Sequence, residues 1–220
     1  MIRIMVARSL PLLLLAFATA SAANPELPPP EPQNAEKQQG CELHIWPAPG
    51  LESITEGWIL NNTRNQVLRD PPGKSLGLAD AIPPRAQLDA IASLDLNDTF
   101  HLDGAKVIAH PDPLPPSPTG APVIRHASAT TPCYAELVIK RLVFAKNALA
   151  GGALQAFFIF RRFGQGDVQS FTSMADTPLT IFPWKNPEDQ ERGKAELSEA
   201  LRSDLLTFAK YSNKPFVRRR

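Results

Sequence analysis

Glu42, His44 and Trp46 alternate with Cys41, Leu43 and Ile45 in the stretch CELHIW, and Tyr134, Glu136 and Lys140 follow Cys133 in CYAELVIKRLVFAK. A carboxylate and an imidazole two residues apart on a strand share one face, and with aromatic walls they make an acid–base pair. If the two cysteines join neighbouring strands, Glu42, His44 and Trp46 emerge beside Tyr134, Glu136 and Lys140. The six together form either a binding or acid–base surface or the solvated face of a one-sided sheet. The other histidines, His101, His110 and His126, complete no HExxH pattern. His101 with Asp103 and His110 with Asp112 read as polar residues flanking a short strand, so no metal site is expected. The sequence contains no GxSxG elbow, no SxxK and no P-loop, and GQGD at 164–167 lacks a third glycine and a strand-to-helix context. No residue is assigned a catalytic role and no cofactor is expected.

The elements that would hold these groups begin after a leader. Arg3 and Arg8, the apolar run Leu10 to Ala18 and the small residues Ala20-Ser21-Ala22 read as a secretory signal peptide over residues 1–22. That run is shorter than the roughly 20 residues that cross a bilayer, and no later stretch replaces it. The chain is thus expected in the periplasm or outside the cell, without a transmembrane segment. Residues 23–40, rich in Pro, Gln and Glu, read as a disordered spacer. Gly40-Cys41 lacks the apolar and small residues that precede a lipoprotein cysteine, because Gln38 and Gln39 stand there. In an exported chain with two cysteines, the simplest reading is a Cys41–Cys133 disulfide.

Residues 41–213 read as a single α+β domain, a two-layer arrangement of a mainly antiparallel sheet packed by a short helix and a long C-terminal helix. CELHIW predicts a half-buried strand, and residues 84–96 a short helix with Leu88, Ile91 and Ala92 on its inner face. GAKVIAH at 104–110 and VIRH at 123–126 predict short strands. In the long strand after Cys133, Ala135, Leu137, Ile139 and Val143 fall on one side, and LQAFFIFRRF returns as a buried neighbour. Gly164 and Gly166 turn the chain into DVQSFTSM, and PLTIFP completes the sheet. Asn186 stands at an N-cap position, Pro187 at the first helical position, and Leu197, Ala200, Leu201, Leu205 and Phe208 make the apolar stripe of the last helix. Residues 47–83 are dense in turn signals around a short apolar piece, Trp58 to Leu60.

The motifs CELHIWPA and PCYAELVI, behind a signal peptide and ahead of FFIFRRFG and TIFP, resemble a group of conserved hypothetical exported proteins of alphaproteobacteria, whose function is unknown. The order of elements is also similar to the N-terminal domain of TolB and to YajG-like envelope lipoproteins. The first resemblance covers the chain from Cys41 onward and implies an exported protein with no particular activity. The second is topological.

The formal net charge of +1 includes two arginines of the signal, so the mature chain is close to neutral. Such a chain has no field to recruit nucleic acid. Arg218, Arg219 and Arg220, in a basic tail at 214–220, could make weak contact with a membrane surface. Three functions stay open. The first is a non-catalytic accessory protein that binds another envelope protein. The second is a small secreted hydrolase using His44 with Glu42 or Glu136, and the third a small-ligand carrier beneath the Pro-rich loops. A deep pocket with a raised carboxylate would favour the enzyme, and an exposed apolar patch around Trp46 or Trp58 a protein partner.

Overall fold

The computed structural model describes residues 40–56, 68–69, 78, 80–117, 120, 122–129, 131–147, 151–164 and 168–213. The expected signal peptide, nearly all of the spacer, the apolar piece at 58–60 and the basic tail lie outside the described residues. In chain order the elements are β1 (Glu42–Trp46), β2 (Leu51–Glu56), β3 (Leu68–Arg69), α1 (Pro84–Ala92), α2 (Leu96–Phe100), β4 (Lys106–Ala109), β5 (Tyr134–Asn147), β6 (Gly151–Phe163), β7 (Val168–Leu179) and α3 (Gln190–Ser212). None of these helices is long and apolar enough to cross a membrane.

The long alternating stretch after Cys133 forms β5, the spine of the sheet. β5, β6 and β7 make an antiparallel meander, with Tyr134 opposite Phe163 and Phe163 opposite Val168. On the other edge of β5 two short strands run parallel to it. β1 pairs with its first half, Glu42 opposite Tyr134, and β2 with its second half, Leu51 opposite Leu142. β4 runs parallel to β1, and β3 antiparallel to β2. The sheet is therefore mixed and seven-stranded among the described residues, with α1, α2 and α3 packed against it, an α+β two-layer fold.

Cys41 and Cys133 are joined by a disulfide, with their Cα atoms 4.5 Å apart and 92 residues apart in sequence. The bond lies one residue ahead of the parallel pairing, where Glu42 N also donates to Cys133 O. Closing so long a loop removes denatured-state entropy worth about 4 to 5 kcal/mol in the chain-entropy model.

Between the sheet and the helices lies one continuous core. Leu43 and Ile45, Ala135, Leu137 and Ile139, and Leu154, Ala156, Phe158 and Phe160 meet Leu197, Ala200, Leu201, Leu205 and Phe208 of α3. The Phe208 ring lies 5.1 Å from Phe158 and 5.2 Å from Phe171. A β-bulge between Ile139 and Arg141 changes the parity of β5. Leu142 and Phe144 thus face the helices, whereas Val143 joins Ile54 and Ala145 in a separate small cluster. The expectation of Val143 on the side of Leu137 fails because of that extra residue.

Other local departures have similar causes. Residues 123–126 form no strand, because the amides of His126 and Ala127 donate to side chains of β5 rather than to a neighbouring strand. Ala92 is exposed, and the inner face of α1 instead carries Gln87, Leu88, Ala90 and Ile91. Gln87 accepts from Ala48 N and donates to Ala48 O and Ile82 O, which ties α1 to the turn after β1. Asn186 precedes a 3-10 turn, Pro187–Asp189, rather than α3 itself, and its side chain makes no capping bond. Gly193 on α3 is needed where Trp184 crosses the helix, since a Cβ there would stand 2.7 Å from the indole. Three residues on, the Glu196 carboxylate accepts the backbone amides of Thr180, Ile181 and Phe182 and fastens the end of β7 to α3. Its burial opposes the charge, but these bonds hold its carboxyl below the usual range.

The core also contains a carboxyl. Asp204 on α3 accepts from Thr177 Oγ1 at 2.7 Å, while its second oxygen is buried without a partner. Burial pushes this carboxyl up to about 7, against the Thr177 bond, and Asp176 adds to the rise. The folded chain then keeps a proton that the unfolded chain releases near 3.8. The resulting stabilisation is complete below that value and disappears as pH rises through about 7. Chemical denaturation of wild type and Asp204→Asn across pH 4 to 8 tests this. Wild type should gain on the variant by about 1.4 kcal/mol per pH unit as pH falls through the window, whereas a constant difference would place the proton elsewhere.

Candidate functional site: a sealed polar cluster

Because β1 lies between β4 and β5, all five of its residues are buried. Leu43 and Ile45 enter the core under the helices. Glu42, His44 and Trp46 point the other way, and that face is covered as well. The half-buried strand expected at CELHIW is therefore buried on both sides. The cover comes from the chain between β4 and β5, residues 110–117 and 122–129, and its contacts fall into two groups.

The first group centres on Glu136, which has no exposed surface. Its Oε1 accepts from the Tyr134 hydroxyl at 2.7 Å and from His126 N at 2.7 Å. Its Oε2 lies 3.0 Å from His126 Nδ1 and 3.4 Å from Arg161 Nη1. Tyr134, also without exposed surface, accepts from Ala127 N at 3.1 Å. Burial, and then the bond to Glu136, pushes the Tyr134 hydroxyl far above its ordinary range, so it remains a neutral donor. Arg125 lies over the rings of Tyr134 and Phe163 at 5.0 and 5.6 Å from the centroids. A carboxylate with four donors directed at it is stable where an unpaired one would be very costly to bury.

The second group is a line through β1. Glu42 Oε2 lies 3.4 Å from His44 Nε2, and His44 Nδ1 lies 2.9 Å from His110 Nε2. Trp46 stacks on His110, centroids 4.3 Å apart and planes 2° from parallel, and meets His126 edge-on at 5.7 Å. Burial, and then the neighbouring His44, hold His110 below the usual imidazole range, and Glu136 opposes the shift.

Five of the six expected residues, Glu42, His44, Trp46, Tyr134 and Glu136, thus share one face. Lys140 does not join them. It is exposed at the bulge, where the alternation of β5 is interrupted. The face is not solvated, since the five are between 0% and 4% exposed. The exposed apolar patch around Trp46 is absent for the same reason. Three further members, His110, His126 and Arg161, are not expected at this face from the sequence. Arg161 stands opposite Glu136 in the β5–β6 register, a signal present in the hairpin once its register is known. The two histidines reach the cluster from the Pro-rich stretch, which has no periodicity to place them. His101 instead ends α2 in a left-handed conformation and is exposed, so the two His–Asp pairs do not converge. Among the described residues no group of three or more His, Cys, Asp and Glu side chains is arranged to hold a metal ion.

This arrangement can hold and relay protons internally. An open groove lies between α2 and the end of α3, lined by residues that include Asp98, His101, Leu206, Lys210 and Tyr211, none of which belongs to the cluster. The raised carboxyl, Asp204, is buried in the core, 1% exposed, and does not line that groove.

No family model matches the chain, and no curated protein matches it. Among solved structures it is similar to protein XCC0632 from Xanthomonas campestris, described with the family DUF330. That match has 11% identity and a TM-score of 0.35, and covers 82% of this chain and 88% of that one. It is also similar to an uncharacterised protein at 9% identity and a TM-score of 0.24, covering 80% of this chain and 90% of that one. Likeness at this level carries no functional argument.

The cluster makes an energetic prediction. Tyr134→Phe should cost about 1 to 3 kcal/mol, because it leaves Ala127 N and one oxygen of Glu136 short of a partner. Combined with Glu136→Gln, the loss should be less than the sum of the single losses by about 1 kcal/mol or more in a denaturation cycle. Additive losses would mean that the two side chains do not act as a unit.

Proposed function

We propose that this is an exported, non-catalytic envelope accessory protein that binds another envelope protein through a sheet edge. One observation carries the reading: Glu42, His44, Tyr134 and Glu136 are buried and engaged within the protein, whereas among the described residues a long strand edge stays open. Among the described residues β7 pairs only with β6, so its other edge presents unpaired backbone groups over 12 residues. Its sequence, VQSFTSMADTPL, contains one charged residue, Asp176, and Val168 and Met174 are each 43% exposed. Exposed edges are ordinarily blunted by charge or cover, and an extended segment of a partner can add to one that is not.

Export is supported by the leader-like sequence of residues 1–22 and by the Cys41–Cys133 disulfide, since disulfides persist in oxidising compartments. The hydrolase and carrier readings both need solvent or ligand to reach the Glu42, His44 and Glu136 face, and the covering segment stands in the way. Weak membrane contact by the terminal arginines belongs to the same proposal as a secondary attachment.

The test is site-specific photo-crosslinking in cells, with the reactive group at Met174 and, as a control, at the equally exposed Leu206 on α3. A discrete adduct with one envelope protein from Met174 and not from Leu206 is expected. Equal labelling from both positions, or none from Met174, would contradict an edge-binding role.

A further inference from the structure

The two halves of the cover are held by different contacts. His126 Nδ1 faces the Glu136 carboxylate at 3.0 Å, with Arg161 Nη1 3.4 Å from the same nitrogen. The His44–His110 contact is different, because two ring nitrogens face each other at 2.9 Å. In neutral rings one nitrogen carries the hydrogen and the other accepts it. The pair can take one extra proton with the contact intact, whichever ring carries it, since an imidazolium on one side still donates to a lone pair on the other. A second extra proton puts hydrogen on both facing nitrogens and two positive charges within contact distance. Stacking on Trp46 favours a charged His110, but it leaves the two N–H groups opposed.

We propose that the His44–His110 contact is an acid-operated latch, whose double protonation swings the His110 ring off the sheet and uncovers Trp46 while His110 N stays bonded to Ile45 O and Glu136 keeps the 126–127 end of the cover in place. The surrounding charges fit this division. Glu42 on β1 lies beyond His44, away from His110, while Glu136 on β5, with Arg161 on β6 behind it, is already engaged by Tyr134 and His126. Lys106, opposite Glu42 on β4, and Asp112 and Arg125 in the cover are exposed to solvent. His110 is itself only half-buried, so it has a path outward, whereas His44 is 3% exposed and has none. Once outside, His110 regains the ordinary imidazole value of 6.5, above its value in the closed cover. Acid therefore favours the open form by up to tenfold per pH unit below that point, until the closed form protonates too. The inference concerns the cover alone and does not depend on the partner proposed above.

Two-dimensional NMR of the tryptophan indole N–H groups and the histidine ring C–H groups tests it across pH 7.5 to 4.5. The Trp46 signal should move in a single transition below pH 6.5, while the Trp184 signal keeps its folded position. In His110→Gln, whose amide can still donate to His44 but cannot take a charge, the Trp46 transition should vanish. The latch is overturned if Trp46 stays put down to pH 4.5, or if its transition survives in His110→Gln. It is equally overturned if Trp184 moves at the same pH, which would be general unfolding.

Discussion

A carboxylate with no exposed surface in the middle of a sheet must receive every hydrogen bond from the protein, and Glu136 is in that position. Its demand explains much of the outer face. Tyr134, two residues earlier on the same face of β5, supplies one donor, and Arg161 stands opposite in the β6 register. The remaining donors come from His126, and its backbone amide can reach Glu136 only if that segment gives up strand pairing. The non-strand conformation of 123–126 is thus a consequence of a single charge. Removing one partner of such a group is far more damaging than never having built it.

The disulfide and the bulge divide β5 into two working halves. At the first half Cys41–Cys133 aligns β1 with β5, which brings Glu42, His44 and Trp46 level with Tyr134 and Glu136. Past the bulge the parity reverses and β2 replaces β1 as the parallel neighbour, so the outer face becomes the small apolar group of Ile54, Val143 and Ala145. The helix side stays apolar throughout, because the bulge restores Leu142 and Phe144 to it. One strand therefore supports a polar, sealed end and an apolar end without a break in the core.

Local pattern made a good part of this legible. The β5–β6 hairpin, the stripe of α3 from Leu197 to Phe208, the helix starting at Pro84 and the disulfide all rest on alternation, helical spacing or cysteine count, which are short-range signals. The co-location of Glu42, His44, Trp46, Tyr134 and Glu136 followed from strand parity and one assumed pairing. What escaped was long-range. Whether a polar strand face is wet or covered depends on where the Pro-rich chain between β4 and β5 runs, and that chain has no period. His126 and His110 bind partners on other strands, and no spacing announces it. The bulge at Lys140 adds a residue without any glycine or proline to mark it, so Val143 and Lys140 could not be placed correctly from the pattern alone.

The central claim is that Glu136 and Tyr134 pin a non-strand segment onto the sheet tightly enough to seal its polar face. Hydrogen exchange at the amides of His126 and Ala127 measures this directly, because both lie outside any helix or strand and both donate to buried side chains. The account predicts protection close to that of the central β5 amides at neutral pH. Exchange at the rate of an open loop would mean that the face is accessible and that its acid–base groups stand ready for a substrate.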